Sequence, residues 1–193
     1  MDDKMRTQLT RIGVVLGVLI VGLAIGWIGG VSVAHDGTAK VSVYKDWRLA
    51  CPGDDDKKSA CALQNVLVDP GSGQPLGQIT VAYKADKPDQ REMVMSVPLT
   101  VLIQPGVGIQ IGTDAPKTVP FGTCIQNGCV AMIDLDDKLT DSMRGATAMS
   151  LVVTAENGKS VPLPVSVQGF ASALSAMNSS EARRHSWWRR LWS

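Results

Sequence analysis

The residues of this chain whose types could carry out chemistry are few. Its only histidines are His35 and His185, and both lie outside the stretch that contains the four cysteines. That stretch therefore offers no Ser-His-Asp triad, no Cys-His pair and no histidine metal site. The sequence predicts no cofactor and no bound metal, and it identifies no small-molecule substrate.

Aspartates are the remaining candidates for catalysis, because carboxylates alone can act as general acid and base. A cluster at the start of a predicted helix more commonly caps the helix and binds water. We therefore expect no enzymatic activity from this cluster, which comprises Asp134, Asp136, Asp137 and Asp141.

The cysteines predict disulfide bonds, because an even number of them follows a segment that predicts export to an oxidising compartment. Four cysteines allow three pairings, and we favour Cys51 with Cys61 and Cys124 with Cys129. A hairpin loop of four residues would place the second pair opposite each other, whereas a two-residue turn at Asn127-Gly128 would prevent that bond. Zinc is the alternative use, but nine residues separate Cys51 from Cys61, too many for the usual short ligand spacing.

An uncharged apolar run extends from Ile12 to Ala34. As a helix it would measure about 34 Å, and a bilayer has a hydrocarbon core of about 30 Å. Lys4, Arg6 and Arg11 precede the run, so the positive-inside rule predicts a cytoplasmic amino terminus and a periplasmic domain on a bacterial inner membrane. The alternative is a signal peptide cleaved after Ala34, although the run is longer than the usual signal core.

Glycines in this run have the spacing that lets two membrane helices pack closely. Two of them fall on one face of the predicted helix and three on the roughly opposite face, which predicts contacts with other integral membrane subunits. Glycine is also common in transmembrane helices without such a role, and that alternative stays open. The residues are Gly13, Gly17, Gly22, Gly26 and Gly30.

Short apolar-patterned segments alternate with turn residues in the central part of the chain. They predict strands over residues 40–51, 61–68, 78–85, 93–97, 107–111, 129–134, 147–155 and 160–167, and short helices over 135–144 and 169–177. Asn157-Gly158 predicts a hairpin, and Pro162 and Pro164 predict that its second strand lies at a sheet edge. Trp47 alternates with Leu49 and Cys51, which favours a place in the core.

The pattern as a whole predicts a mostly β fold, an antiparallel β-sandwich or barrel with two short helices, preceded by a single transmembrane helix. The predicted organisation is a cytoplasmic amino terminus (1–11), the transmembrane helix (12–34), a linker with the first strand (35–44), a disulfide-stapled periplasmic domain (45–179) and a tail (180–193). Residues 36–179 contain 12 Lys and Arg against 15 Asp and Glu, so the domain has no basic stripe for nucleic acid.

The tail combines tryptophan with arginine. As a helix it would place Trp187, Trp188, Leu191 and Trp192 on one arc and Arg189 and Arg190 on the other side, while Arg184 does not fit the polar arc. Tryptophan favours the headgroup zone and arginine attracts anionic lipid, so the tail predicts contact with membrane lipid. A groove on a partner subunit and a disordered tail are the alternatives.

Three stretches resemble a known family: residues 46–51 (DWRLAC), 120–131 (PFGTCIQNGCVA) and 164–174 (PVSVQGFASAL). In this order they resemble the invasion-associated locus B family of alphaproteobacterial envelope proteins, from about Lys45 to Met177. The resemblance implies a small, mostly β, disulfide-containing exported domain, linked in some pathogens to entry into host cells and without established enzymatic activity. Family members commonly begin with a signal peptide that is removed, and this chain departs from them in its longer apolar run and its tail.

Together these features predict a non-catalytic, membrane-anchored periplasmic interaction protein that serves as an accessory subunit of an inner-membrane complex. An envelope or surface factor in host-cell interaction is the alternative. An enzyme of unknown type has no group of residues to support it.

Overall fold

A computed structural model describes residues 39–53, 56 and 59–190, and gives only helical backbone for residues 185–190. The predicted transmembrane helix (12–34) with its five glycines, and the tail residues Leu191 and Trp192, lie outside the described residues. Within the described part of the chain, no helix is both long and apolar enough to cross a membrane.

The described strands and helices follow one another from Lys40 to Arg190. They are β1 (Lys40–Tyr44), β2 (Trp47–Cys51), β3 (Ala62–Val68), β4 (Pro75–Tyr83), β5 (Arg91–Val97), β6 (Val107–Ile111), β7 (Lys117–Val119), β8 (Phe121–Ile125), β9 (Gly128–Asp134), α1 (Asp137–Gly145), β10 (Met149–Thr154), β11 (Ser160–Val165) and α2 (Phe170–Arg190).

Two antiparallel sheets form the domain. The larger has seven strands in the order β1-β2-β3-β4-β5-β9-β8, and the smaller has four in the order β11-β10-β6-β7. Buried side chains from both sheets and both helices form one hydrophobic core. The prediction of a mostly β antiparallel fold is confirmed, in its sandwich form.

The core follows the period of two that the sequence shows. Met93, Met95 and Val97 are buried along β5, and Ile79 and Val81 are buried along β4. Successive side chains of a strand point to opposite faces, so β4 and β5 each contribute every second residue to the core. Trp47 is fully buried, as its alternation predicted.

The predicted single strand over residues 40–51 is wrong. The structure has a hairpin there, in which Tyr44 pairs with Trp47 and a turn at Lys45-Asp46 reverses the chain. Lys45 has a φ of 54°, a conformation that usually calls for glycine or asparagine. The turn therefore lacks the glycine or asparagine by which a turn with a positive φ is normally recognised.

The hairpin at Asn157-Gly158 is confirmed, with Thr154 opposite Ser160. Its second strand, β11, lies at one edge of the four-stranded sheet. An edge position is where Pro162 and Pro164 are tolerated, because proline has no backbone N–H to donate to a neighbouring strand.

The two helices differ in how well they were predicted. Helix α1 begins after Asp136, whose carboxylate accepts a hydrogen bond from the Leu139 N–H at 2.7 Å, which is the capping role expected of an aspartate in the cluster at this helix start. Helix α2 was expected to end at residue 177 but contains 21 residues, so "short" is wrong for it. Residues 178–190 contain neither glycine nor proline, and the boundary drawn at 179 falls inside the helix.

Candidate functional site

The two disulfides lie near opposite ends of the seven-stranded sheet. Cys51 is bonded to Cys61 where β2 ends and β3 is about to begin, and Cys124 is bonded to Cys129 across β8 and β9. These are the pairings that the sequence analysis favoured. The strands of this sheet share two ends. At the end that holds the Cys51–Cys61 disulfide, Ala62 pairs with Ala82 and Glu92 pairs with Asp134, and we call it the loop end. At the other end, which holds the Cys124–Cys129 disulfide, Val97 pairs with Cys129, and we call it the apolar end.

Helix α2 is attached to the loop end by two charged side chains. The buried carboxylate of Glu181 accepts a hydrogen bond from the Cys61 N–H at 2.6 Å. The Arg184 guanidinium donates to three carbonyl oxygens of the loop that this disulfide closes, at 3.0 Å to Pro52, 2.6 Å to Asp56 and 3.0 Å to Ser59. Charge-assisted hydrogen bonds of this kind are stronger than neutral ones, so the helix and the loop hold each other in place.

The start of α2 is held at the other end of β1 and β2, beside the turn that joins these two strands. The ring of Phe170 lies 5.0 Å from that of Trp47, centre to centre, and the Trp47 Nε1–H donates to the Ser166 carbonyl at 2.9 Å. Gly169 has a φ of 88°, and a Cβ added there would lie 1.9 Å from the Tyr44 carbonyl oxygen, so only glycine fits. The helix thus runs from the β1–β2 turn towards the loop end.

The second disulfide closes a very tight hairpin. Cys124 lies opposite Cys129, and Ile125 lies opposite Gly128, so only two residues form the turn between them. The two cysteines lie opposite each other, as predicted. Within the predicted four-residue loop, Ile125 and Gly128 also pair with each other. Gly128 has a φ of 134° and packs its Cα against the Val97 carbonyl of β5.

Large apolar side chains are exposed at the apolar end. Leu99, Leu102 and Ile103, in the segment that follows β5, are 51, 40 and 59% exposed, and Ile125 in the adjacent hairpin is 56% exposed. The segment is held to the smaller sheet by the Leu102 N–H, which donates to the Thr154 carbonyl at 2.8 Å. Exposed large apolar side chains at one end of a domain commonly mark an interaction site. Sequence reasoning had not selected these four residues, although residues 97–112 contain no charge.

The aspartate cluster does not form one site. Asp134 pairs with Lys84 at 2.6 Å, Asp137 lies 3.6 Å from Arg91, and Asp136 caps α1. The hydrogen bond between Lys84 and Asp134 lowers the pKa of the Asp134 carboxyl and raises the pKa of the Lys84 ammonium. These carboxylates therefore have structural partners. No group of metal-binding side chains occurs within the ranges that the structure describes.

The predicted tail is the carboxyl-terminal part of a helix that belongs to the domain. Trp187, Trp188, Arg189 and Arg190 fall within α2. Glu181 and Arg184 are the residues that sequence reasoning missed. The available signal was that Arg184 did not fit the polar arc of the tail, and the structure assigns this arginine to the Pro52–Ser59 carbonyls.

Comparison with known proteins gives consistent matches over the β domain. Residues 47–178 match the family described as Invasion associated locus B (IalB) protein. Two relatives are named invasion protein B homologs, from Brucella abortus strain 2308 and from Brucella abortus biovar 1 strain 9-941. Each is 24% identical over 132 residues, which is 68% of this chain and 75% of the relative.

A solved structure has the same fold. The crystal structure of invasion associated protein b from Bartonella henselae superposes with a TM-score of 0.64 at 20% identity, and the match covers 74% of this chain and 99% of that one. Nearly all of that solved chain therefore corresponds to a part of this one.

Proposed function

From the premise that this chain belongs to the invasion-associated locus B family, we propose that it is a non-catalytic interaction protein of the bacterial envelope. Its amino-terminal apolar run anchors it in the inner membrane, and its β domain lies in the periplasm. Two disulfides support an oxidising compartment for the domain. The apolar length of residues 12–34 and the basic residues before them support the anchor and its direction.

The observation that carries the binding role is the apolar end. Leu99, Ile103 and Ile125 each leave more than half of their accessible surface in contact with solvent. Exposing such side chains is unfavourable for an isolated soluble domain, and covering them with a partner removes apolar area from water. A protein surface with apolar character suits them best, because interface cores are depleted of charge.

The finer proposal is that the partner is an integral membrane complex, of which this chain is an accessory subunit. The glycines of the membrane run supply surfaces for neighbouring helices within lipid, and the apolar end supplies a surface in the periplasm. Both would act on the same partner if its periplasmic part extends above the membrane.

Native electrophoresis after gentle detergent extraction tests this role. The unaltered chain is expected to migrate within a larger complex, and Ile103→Asp is expected to release it, because a charge would be buried in an apolar contact. Val161→Asp is the matched control, since Val161 is an exposed valine on β11 of the smaller sheet. Migration of the unaltered chain as a free 20.5 kDa species under all conditions would contradict the proposal.

A second candidate is a surface factor in host-cell interaction, which the names of the Brucella and Bartonella relatives favour. It predicts that protease added to intact cells cleaves the β domain. Protection in intact cells, followed by cleavage once the outer membrane has been removed, would count against this candidate and agree with a periplasmic domain on the inner membrane.

A further inference from the structure

Strand β1 forms one edge of the seven-stranded sheet. It pairs with β2 over all five of its residues without a bulge, and no described strand lies on its other side. Val41 and Val43 are 62 and 64% exposed, the highest values among the exposed large apolar side chains that the structure describes. A sheet edge of this kind is a template to which a further strand can be added.

The other three edges of the two described sheets have features that hinder such pairing. Strand β11 contains Pro162 and Pro164, and β7 has only three residues. Strand β8 is irregular, because its register with β9 shifts between Phe121 and Thr123. Prolines, short strands and bulges are means by which natural proteins protect their sheet edges. Strand β1 has none of these and carries its one charge at its first residue, Lys40, so its edge is the one left open to pairing.

The backbone groups of β1 that face outward follow from its pairing with β2. Tyr44 and Trp47 are paired across a two-residue turn, so the N–H of each donates to the carbonyl oxygen of the other. Bonded and non-bonded pairs alternate along an antiparallel ladder, which makes Ser42 the next residue bonded to β2. The N–H and C=O groups of Val41 and Val43 therefore point away from β2, to the side where no described strand lies.

We propose that β1 pairs antiparallel with β1 of a second copy of this chain, about a two-fold axis at Ser42. Val41 of one copy then lies opposite Val43 of the other, and the outward backbone groups of these valines all form hydrogen bonds. The contact uses the same surface on both copies, as two-fold interfaces do. It joins the two seven-stranded sheets into one continuous sheet and does not depend on the partner proposed for the apolar end.

The side chains of β1 suit this register. Each contact between Val41 and Val43 joins two β-branched side chains, and cross-strand pairs of this kind stabilise a sheet. Lys40 lies opposite Tyr44 of the other copy, so the two lysines are about 14 Å apart along the strands. A shift of one residue would place the free groups of Val41 opposite Ser42, whose own groups are bonded to β2. The pattern of the strand therefore favours the register centred on Ser42.

Helix α2 leaves room for the second copy. It packs on β2, with β1 and β3 on either side. Neighbouring strands lie about 4.8 Å apart, so the β2 strands of the paired copies would be about 14 Å apart. A helix with its side chains has a diameter of about 10 to 12 Å. The two α2 helices therefore lie side by side without a collision.

Disulfide trapping in the full chain tests the pairing. Two copies of Ser42→Cys would lie opposite each other in a non-bonded pair, with Cα atoms about 4.5 Å apart, which is within bridging distance. The four native cysteines are bonded to each other and do not compete. After mild oxidation in membranes, we expect non-reducing electrophoresis to show most of the variant at twice 20.5 kDa. A covalent trap suits this contact because one pair of strands buries less area than a standard interface.

Ser160→Cys is the matched control, because Ser160 is an exposed serine on β11, the edge strand that contains two prolines. We expect it to form little linked dimer. Equal yields from the two variants would indicate random collision and would overturn the proposal. A linked product of Ser42→Cys at any other mass would identify a different protein at this edge, and the absence of a linked product would leave β1 unpaired; both results would also overturn it.

Removal of one outward donor tests whether backbone hydrogen bonds hold the copies together. In the Ser42→Cys chain, Val43→Pro removes an N–H that faces outward and keeps the bonds between β1 and β2. Since the dimer loses a hydrogen bond at each of its two Val43 positions, the yield of linked dimer is expected to fall about tenfold. Val43→Thr keeps the N–H and the branched side chain, and we expect it to keep the yield.

A charged variant tests the same contact without a change to the backbone. Val41→Lys with Val43→Lys, in the Ser42→Cys chain, places lysines opposite lysines at the junction, which is destabilising. We expect less linked dimer, whereas Val161→Lys, at an exposed valine of β11, should leave the yield unchanged. An undiminished yield in the double-lysine variant would contradict the pairing, whether or not Val43→Pro folds.

Discussion

At the residue scale, Arg184 joins parts of the chain that are far apart in sequence. Its guanidinium donates to carbonyl oxygens of Pro52, Asp56 and Ser59, more than 120 positions earlier. The neighbouring Arg183 donates to Ser180 Oγ within its own helix. Two adjacent arginines with the same charge therefore have different structural roles.

Replacing Arg184 by alanine is expected to lower the free energy of unfolding by about 1.5 to 3 kcal/mol, the usual range for hydrogen bonds that involve a charged group. Arg183→Ala removes the same charge and is expected to cost about 0.5 kcal/mol or less. Urea unfolding of the two variants checks the difference. Equal destabilisation would mean that the loop contacts contribute nothing beyond charge.

The Lys84–Asp134 pair sets a pH dependence. Asp134 has a lowered pKa, so its contribution is present above the ordinary carboxyl pKa of 3.8 and is lost as pH falls through the folded value. Lys84 has a raised pKa, so its contribution is present below 10.5 and is lost as pH rises through the folded value.

The stability of Lys84→Gln should therefore differ most from that of the unaltered chain between pH 3.8 and pH 10.5. The two stabilities should become more similar at strongly acidic and strongly alkaline pH. Thermal unfolding over a pH series measures this difference. A difference that stays constant with pH would show that the substitution acts through packing and not through charge.

At the element scale, the β8–β9 hairpin depends on one glycine. A Cβ at Gly128 would lie 2.2 Å from the Val97 carbonyl oxygen, in a backbone with a φ of 134°. Gly158, in the β10–β11 hairpin, also has a positive φ, of 77°, but open space around it. Substitutions at these two glycines therefore separate two contributions to the loss of stability: the steric clash of a Cβ with Val97, and the positive φ itself.

Gly158→Ala is expected to cost about 1 to 2 kcal/mol, the penalty for a side chain in the left-handed region. Gly128→Ala is expected to cost more, because the Val97 strand would have to move as well. Chemical denaturation compares the two variants, and an equal cost would mean that the hairpin shifts freely against β5.

Strands and helices could be predicted from the sequence where the pattern that indicates them lies within a few neighbouring residues. Strands β4, β5 and β10 were predicted because half-buried strands repeat every two residues. The β1–β2 turn was missed because Lys45 adopts a positive φ without being glycine, and β7 was missed because it has only three residues. Capping by the aspartate cluster could be predicted because an N-cap residue forms its hydrogen bond within the first turn of the helix that follows it.

The site was harder to predict than the elements. Pairing Cys124 with Cys129 needed only the geometry of a hairpin. The contacts of Glu181 and Arg184 need the position of a loop 120 or more residues away, and no local pattern contains that information. The exposed residues at the apolar end resemble core residues in composition, and only the fold reveals that nothing in the described chain covers them.

At the scale of the whole molecule, each end of the larger sheet has its own covalent staple. The Cys51–Cys61 bond joins residues ten positions apart, and the Cys124–Cys129 bond joins residues five apart. Closing loops of these lengths removes entropy from the unfolded chain that is equivalent to about 2 to 3 kcal/mol for each bond.

Reduction of both bonds is therefore expected to lower the stability of the domain by about 4 to 6 kcal/mol, a large part of what holds a domain of this size together. Unfolding with and without dithiothreitol measures this effect. An unchanged midpoint would contradict a stabilising role for the disulfides.

The attachment of α2 also bears on when the domain can fold. Hydrogen bonds join Trp47 to Ser166, Cys61 to Glu181, and Pro52 to Arg184, so the first strands of the domain are completed by residues of α2 and of the segment just before it. Contacts so distant in sequence form slowly and require the whole chain. During synthesis the side of the sheet that α2 covers stays open until α2 has been made, so apolar side chains that the folded domain buries remain exposed to aggregation up to that point.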